Sequence, residues 1–301
     1  MAITVMDLTV RYKELLAVDS ISFSVAQGEI FGIIGPNGAG KTSTIECLEG
    51  LRKATSGEIR VLGIDPTQRR ELYQHIGVQL QEASYPPSIK VEELCQLFSS
   101  FYSKPLAYQG LLDRFELGDK KRARIEDLSG GQRQKVSIIL ALLGDPQILF
   151  LDELTTGLDP QSRKDMWQMI KSLRQEGKTI FMTTHYMEEA EYLCDRVCMM
   201  VEGKIAALGS VEDLVAQMGT GQTITFTTLD DVNELEQVPG VSRVEVNENS
   251  VQVIGHGQNF LKDLVVWLTN NQVNFDNLTS KKSNLEDVFL KFTGARMEEL
   301  Q

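Results

Sequence analysis

The chain has 301 residues, 42% of them hydrophobic, and a formal net charge of -12 at pH 7. That length buries a substantial core and exceeds the usual size of one domain, so a large domain plus a small one is expected. An acidic chain without clustered lysine or arginine lacks the footprint that phosphate-backbone binding needs, and nucleic acid is not expected as a main ligand.

No apolar stretch approaches the roughly 18 residues a spanning helix requires. The longest run, Val136 to Leu143, is interrupted by Ser137. The N-terminus has no basic start followed by an apolar block, so a secretion signal is not expected and the chain reads as cytoplasmic. Cys47, Cys95, Cys194 and Cys198 are too few and too irregularly spaced for a disulfide framework and are expected to be reduced, structural thiols.

Taken in chain order, residues 28–34 form a short apolar run of the kind buried on both faces of a parallel sheet. A glycine-rich loop follows, and then a helical pattern from Ser43 to Leu51. Between Leu51 and Gly77 the pattern breaks into turn signals and a charged segment. Roughly residues 83–145 read as a helical subdomain, with helical spacing from Val91 to Phe115. Residues 147–151 are a second apolar strand. Asp159-Pro160 then supplies an N-cap and first-turn proline for a helix striped by Met166, Met169, Ile170 and Leu173. Lys178 to Thr184 resembles the earlier strands. After Gly219 the texture changes, with a hinge at Met218 to Gln222. Residues 220–301 carry 12 acids and 6 bases, a disproportionate share of the excess charge. Ile224 and Phe226 alternate with threonines, and Val244/Val246 and Val251/Val253 flank a hairpin turn at Asn247-Glu248-Asn249. Phe260, Leu264 and Leu268 mark a helix. A final helix carries Leu285, Val288, Phe289 and Phe292, with Ser283 and Glu286 spaced for a capping box.

Three motifs carry chemistry. In Gly35-Pro36-Asn37-Gly38-Ala39-Gly40-Lys41-Thr42 the glycines let successive N–H groups aim at phosphate oxygens. Lys41 supplies a cation for the β and γ phosphates, Thr42 offers a hydroxyl to Mg²⁺, and the following helix points its positive end at the anion. Ile148 to Asp152 followed by Glu153 is an apolar strand ending in two acids at the edge where such sheets bind ligands. Asp152 suits Mg²⁺, and Glu153 is placed to orient or deprotonate an attacking water. Leu128-Ser129-Gly130-Gly131-Gln132 precedes an apolar helix. Ser129 and Gln132 have capping-box spacing, but a cap does not need two glycines, whereas a phosphate approaching a second helix N-terminus does.

Together these motifs resemble the nucleotide-binding subunits of ABC transporters, over about residues 1–219. The resemblance implies an α/β fold: a P-loop NTPase (ABC ATPase) domain with a helical subdomain, followed by a small α+β domain at 220–301. It implies ATP and Mg²⁺ as ligands. Walker A is Gly35–Thr42, with Ser43 beside it, and Walker B is Ile148–Asp152. The signature is Leu128–Gln132, so that Ser129, Gly130, Gly131 and Gln132 face nucleotide. By position, Tyr12 resembles the aromatic that stacks on adenine, although it could also pack on the first sheet. Gln81, favoured over Gln79 by family spacing, resembles the loop glutamine reaching Mg²⁺ and water. Asp159 resembles the D-loop acid and His185 the switch histidine. Lys41, Glu153 and His185 are thus the catalytic set, and Thr42, Gln81 and Asp152 the metal set. Leu154 and Leu80 stand where the family usually has proline, which leaves every ligand in place.

The resemblance further implies a dimer, this chain and a copy of itself or a relative sandwiching two ATP molecules head to tail, because the chain holds one set of motifs; a homodimer is the expectation. The dimer would power a separate integral membrane permease and meet the cytoplasmic face of the membrane only through it. Leu285 to Gly294 resembles the end of exporter subunits of the drug and antibiotic resistance type, which favours export over import. The alternative is a soluble ABC ATPase, such as the iron–sulfur assembly type, not coupled to transport.

Overall fold

The computed structural model describes residues 1–79, 85–216, 221–257 and 259–293. The chain forms two compact units, the first comprising residues 1–210 and the second 211–296.

The first unit opens with an antiparallel pair, β1 (Ile3–Tyr12) and β2 (Leu15–Val25). Alternation puts Ile3, Val5, Leu8, Val10, Ile21 and Phe23 inside. Next comes β3 (Ile30–Ile34), buried at every residue, and the glycine-rich loop runs from it into α1 (Lys41–Leu48). β4 (Ser56–Val61) returns to pair with β1 and completes a three-stranded sheet, β2-β1-β4. After the short α2 (Arg69–Leu72), β5 (Ile76–Gln79) joins a second sheet.

The helical region contains α3 (Val91–Ser99), α4 (Tyr108–Arg114) and α5 (Gly130–Leu142). The Val91–Phe115 pattern is therefore two helices, broken where Ser103-Lys104-Pro105 cannot continue the first. The chain then alternates through β6 (Ile148–Asp152), α6 (Pro160–Gln175), β7 (Thr179–Thr184), α7 (Met187–Leu193), β8 (Arg196–Val201) and β9 (Lys204–Ser210). The second sheet has the order β5-β6-β7-β3-β8-β9, parallel except for its edge strand β9.

The core lies between the two sheets and under α1. At its centre Phe23 of one sheet stacks on Phe31 of the other at 5.3 Å, Phe31 stacks on Phe181 at 5.7 Å, and Phe150 lies 5.6 Å from Phe181. All four cysteines are buried and free, and burial pushes the Cys47 thiol up to about 11 and Cys95 to about 12.

The second unit begins with α8 (Val211–Ala216), followed by β10 (Gly221–Thr227), β11 (Val241–Asn247), β12 (Ser250–His256), α9 (Phe260–Asn270), β13 (Asp276–Lys282) and α10 (Leu285–Thr293). Its antiparallel sheet, β11-β12-β10-β13, has its own core of Ile224, Phe226, Val251, Val253, Phe260 and Leu264. At the start of α10 reciprocal capping contacts are seen on the pair next along from Ser283 and Glu286. Asn284 N–H donates to Asp287 at 2.9 Å and Asp287 N–H donates to Asn284 Oδ1 at 3.1 Å, one residue later. Among the described residues no helix is long and apolar enough to cross a membrane.

Phe181→Ala removes the shared ring of the inter-sheet stack, where the two sheets leave little room to collapse. It is expected to cost about 3–5 kcal/mol of stability, seen as a lower urea midpoint with an unchanged slope.

Candidate active site

Three adjacent strands, β6, β7 and β3, end at one edge of the parallel sheet, with Asp152 paired to Thr183 and Ile34 to Thr184. That register delivers the Gly35–Thr42 loop, the Asp152-Glu153 acids and His185 to neighbouring positions. The loop is glycine-rich for two different reasons. At Gly40 the backbone has φ 98° and a Cβ would lie 2.4 Å from the Ala17 carbonyl oxygen. At Gly38 nothing lies within 4 Å, and the left-handed φ of 78° alone calls for glycine. Gly35, Pro36, Ala39 and Gly40 are buried, while Asn37, Gly38 and Thr42 are exposed at the mouth.

Lys41 is only 4% exposed. Its Nζ donates to the Gly35 and Pro36 carbonyl oxygens at 2.9 and 3.1 Å and faces Glu153 Oε1 at 3.5 Å. Burial holds its pKa below the usual lysine range, against the attraction of Glu153 and Asp152. The ammonium has three protons and three acceptors here, so a phosphate oxygen entering the loop competes for bonds already formed.

The two acids differ in environment. Asp152 accepts a short hydrogen bond from the Thr183 hydroxyl, and burial raises its pKa above the usual carboxylate range. Glu153 has Oε2 3.4 Å from His185 Nδ1 and Oε1 facing Lys41, and its pKa is held below the ordinary range, first by His185 and then, against burial, by Lys41. The Glu153 backbone sits at φ 47°, a left-handed conformation uncommon for a non-glycine residue. It is pinned there by its N–H, which reaches the Thr183 carbonyl at 3.1 Å and hydroxyl at 3.2 Å.

Tyr12 is half-buried, packed against the core between the sheets, with its hydroxyl 3.0 Å from that of Ser43 and the Arg52 guanidinium 4.4 Å over its ring. Ser129 and Gln132 form the capping box of α5: Gln132 N–H donates to Ser129 Oγ at 3.2 Å and Ser129 N–H to Gln132 Oε1 at 3.0 Å. Ser129 and Gly130 are exposed, and Gly131 is half-buried. Asp159 caps α6, accepting from the Gln161 and Ser162 N–H groups at 3.1 and 3.0 Å and from the Ser162 hydroxyl at 2.6 Å. Those bonds, the Ser162 hydroxyl foremost, hold its carboxyl below the usual range. Gln81 lies outside the described residues, as does Leu80.

The structure thus gathers Lys41, Asp152, Glu153 and His185, and adds Thr183, which sequence reasoning missed. Its signal was available: a pair of threonines closing an apolar strand beside the strand that ends in acids. Glu49 and Glu189, both buried near these segments, carried no comparable signal.

The sequence pattern of the ABC transporter family matches residues 18–156. The chain is 35% identical to the Nod factor export ATP-binding protein I of Rhizobium etli, over 99% of this chain and 95% of the relative. It is 33% identical to the linearmycin resistance ATP-binding protein LnrL of Bacillus subtilis, over 96% of this chain and 97% of that one. Among solved structures, an ATP-binding subunit of an ABC transporter superposes with a TM-score of 0.66 at 27% identity, covering 73% of this chain and 94% of the other. A dimeric bacterial ABC transporter cassette gives a TM-score of 0.62 at 25% identity, covering 69% and 98%. A P-loop at the edge of a parallel sheet, facing an acid pair, defines the class as a nucleoside triphosphatase. Within that class the chain belongs to the ABC transporter family, as an ATP-binding and ATP-hydrolysing subunit.

One buried carboxyl near the nucleotide loop has no role in this arrangement. Glu49 is 1% exposed, and burial, then Asp152 and Glu46, push its pKa up to about 9. Unfolded, it loses its proton near 4.5; folded, it keeps it to about 9. Between those values the folded state binds more protons than the unfolded one, so stability falls as pH rises. Glu49→Gln, neutral at every pH, is expected to gain on the order of a few kcal/mol over the parent at pH 8 and little at pH 5, read from urea unfolding at both. An equal gain at the two pH values refutes this assignment.

Proposed function

We propose that this chain energises export through a separate integral membrane permease, hydrolysing ATP in a head-to-tail dimer with a second copy of itself. The observation that carries the reading is the meeting of Lys41, Glu153 and His185 through contacts of 3.5 and 3.4 Å at the end of the P-loop strand. In this reading the loop N–H groups of residues 35–43 and Lys41 bind the phosphates, and Tyr12 offers adenine the ring face that Arg52 does not cover. Glu153 is the carboxylate that orients the attacking water and takes its proton, because it is the acid faced by a lysine and a histidine. His185 positions that carboxylate and meets the γ-phosphate.

Thr42 and Asp152 are oxygen donors of the hard type that Mg²⁺ takes, and the exposed Thr42 hydroxyl and buried Asp152 carboxylate suit such an ion. Gln81 completes that set by family position. When bound, such an ion would supply charge neutralisation to the phosphates. Asp152 is aimed by the Thr183 hydroxyl, which leaves its second oxygen for the ion or its water shell.

The exposed start of α5 at Ser129-Gly130 supports the dimer, since a helix N-terminus suits the partner's γ-phosphate. Asp159, exposed on the adjoining α6, belongs to the same face. Export is supported by the names of the two relatives, each matched over nearly its whole length, second unit included. It places the chain on the cytoplasmic face of a membrane, held by the permease. A mostly apolar groove of about 600 Å³, lined by Leu51, Tyr73, Val78, Tyr85, Phe98 and Phe101, is the surface this reading gives to the permease.

Glu153→Gln keeps the shape of the site and removes the base. It is expected to bind ATP, to hydrolyse it at least about a hundredfold more slowly, and to elute as a dimer with saturating Mg-ATP. A variant that stays monomeric removes the sandwich, and one that hydrolyses normally removes Glu153 as base. Purification of the tagged chain from detergent-solubilised membranes should bring an integral membrane protein with it. Failure to do so favours a soluble ATPase of the iron–sulfur assembly type.

A further inference from the structure

Glu189 lies on α7, four residues after His185, and has no solvent exposure. Its Oε1 accepts two hydrogen bonds, from the Thr155 hydroxyl at 2.8 Å and from the Trp167 indole N–H at 2.9 Å. Its Oε2 has no hydrogen-bond partner among the described residues. These contacts join three segments that each carry a residue of the proposed site. Thr155 is two residues beyond Glu153, Trp167 is on the helix capped by Asp159, and Glu189 is on the helix that follows His185. A leucine would fill the same space but leave the buried Thr155 hydroxyl and Trp167 N–H without this acceptor, so the acid serves the contacts it makes rather than apolar packing.

The segment it holds is one that needs holding. Glu153 has a left-handed backbone, and the chain after it is gripped from two sides: Gln134 Nε2 of α5 donates to the Leu154 carbonyl at 2.6 Å, and Glu189 takes the Thr155 hydroxyl. We propose that Glu189 is a positioning residue for ATP hydrolysis, its carboxylate fixing Glu153 and His185 in mutual register through Thr155 and α7. The inference rests on the assignment of Glu153 and His185 above. It assigns Glu189 to the hydrolytic step rather than to nucleotide binding, because the binding loop is shaped by its own backbone and by Lys41 contacts that do not involve α7.

The test measures steady-state ATPase kinetics and equilibrium nucleotide binding on the full chain, for Glu189→Leu, Glu189→Gln, Thr155→Val and Glu153→Gln. Glu189→Leu is expected to lower kcat about ten- to a hundredfold, with KM and nucleotide affinity changed less than about twofold. Glu189→Gln keeps a carbonyl acceptor for both donors and should retain most of kcat. Thr155→Val, which preserves side-chain shape, should also lower kcat, and combining it with Glu189→Leu should add little, since both break one contact. If Glu189→Leu does not fold, Thr155→Val decides: a normal kcat there overturns the proposal. So does a Glu189→Gln variant as impaired as Glu189→Leu, or a loss shared equally by KM and kcat. Glu153→Gln separates the two readings. If it hydrolyses ATP normally, the site assignment is wrong. If it is inactive while Thr155→Val and Glu189→Leu are normal, only the role of Glu189 is lost.

Discussion

The arrangement depends on one adjacency in the parallel sheet, that of β6, β7 and β3. Their register pairs Asp152 with Thr183 and Ile34 with Thr184, so each chain leaves its strand at the same height. The glycine-rich loop, the acids and the histidine then meet without any long insertion to bring them together. Beneath them the strands are wholly buried, and the Phe23–Phe31–Phe181 stack ties them to the antiparallel sheet. Interiors packed this closely transmit displacement rather than absorb it, so the positions of site residues inherit the rigidity of the core.

Electrostatics then divides the labour. Lys41, Asp152 and Glu153 are each less than a tenth exposed, and burial opposes the charge on all three. Only Glu153 faces both Lys41 and His185, and of the two adjacent acids it alone is held below the ordinary carboxylate range. The pair is thereby pushed apart in protonation behaviour by position alone, the pattern by which neighbouring acids come to serve different roles. The left-handed backbone at Glu153 belongs to the same design, since it turns the second acid away from the direction in which the strand would have sent it.

The legible part of the sequence was whatever local chemistry dictates. The glycine spacing of residues 35–42, the apolar strand ending in Asp152-Glu153 and the Asp159-Pro160 cap each need their residue types regardless of what surrounds them. The first sheet was harder to see because β1 and β2 shift register three times along their pairing, which breaks the two-residue alternation. Glu189 was not legible at all. Three acids stand in Met187 to Glu191, and nothing short of the packing of α7 on α6 selects the buried one.

The signature segment can now be read more finely. A Cβ on Gly131 would lie 2.9 Å from Ser162 Oγ, the hydroxyl that donates to Asp159 at 2.6 Å, so the close packing of α5 on the first turn of α6 already accounts for that glycine. Gly130 is different. It is exposed, and a Cβ there would meet only Leu158 at 3.8 Å, an ordinary contact. Of the two consecutive glycines, Gly130 is therefore the one whose bareness packing within the chain does not require. The same helix reaches the Glu153 segment through Gln134 and the Leu154 carbonyl. One helix thus carries both the exposed glycine of the signature segment and a side chain that holds the backbone just after Glu153.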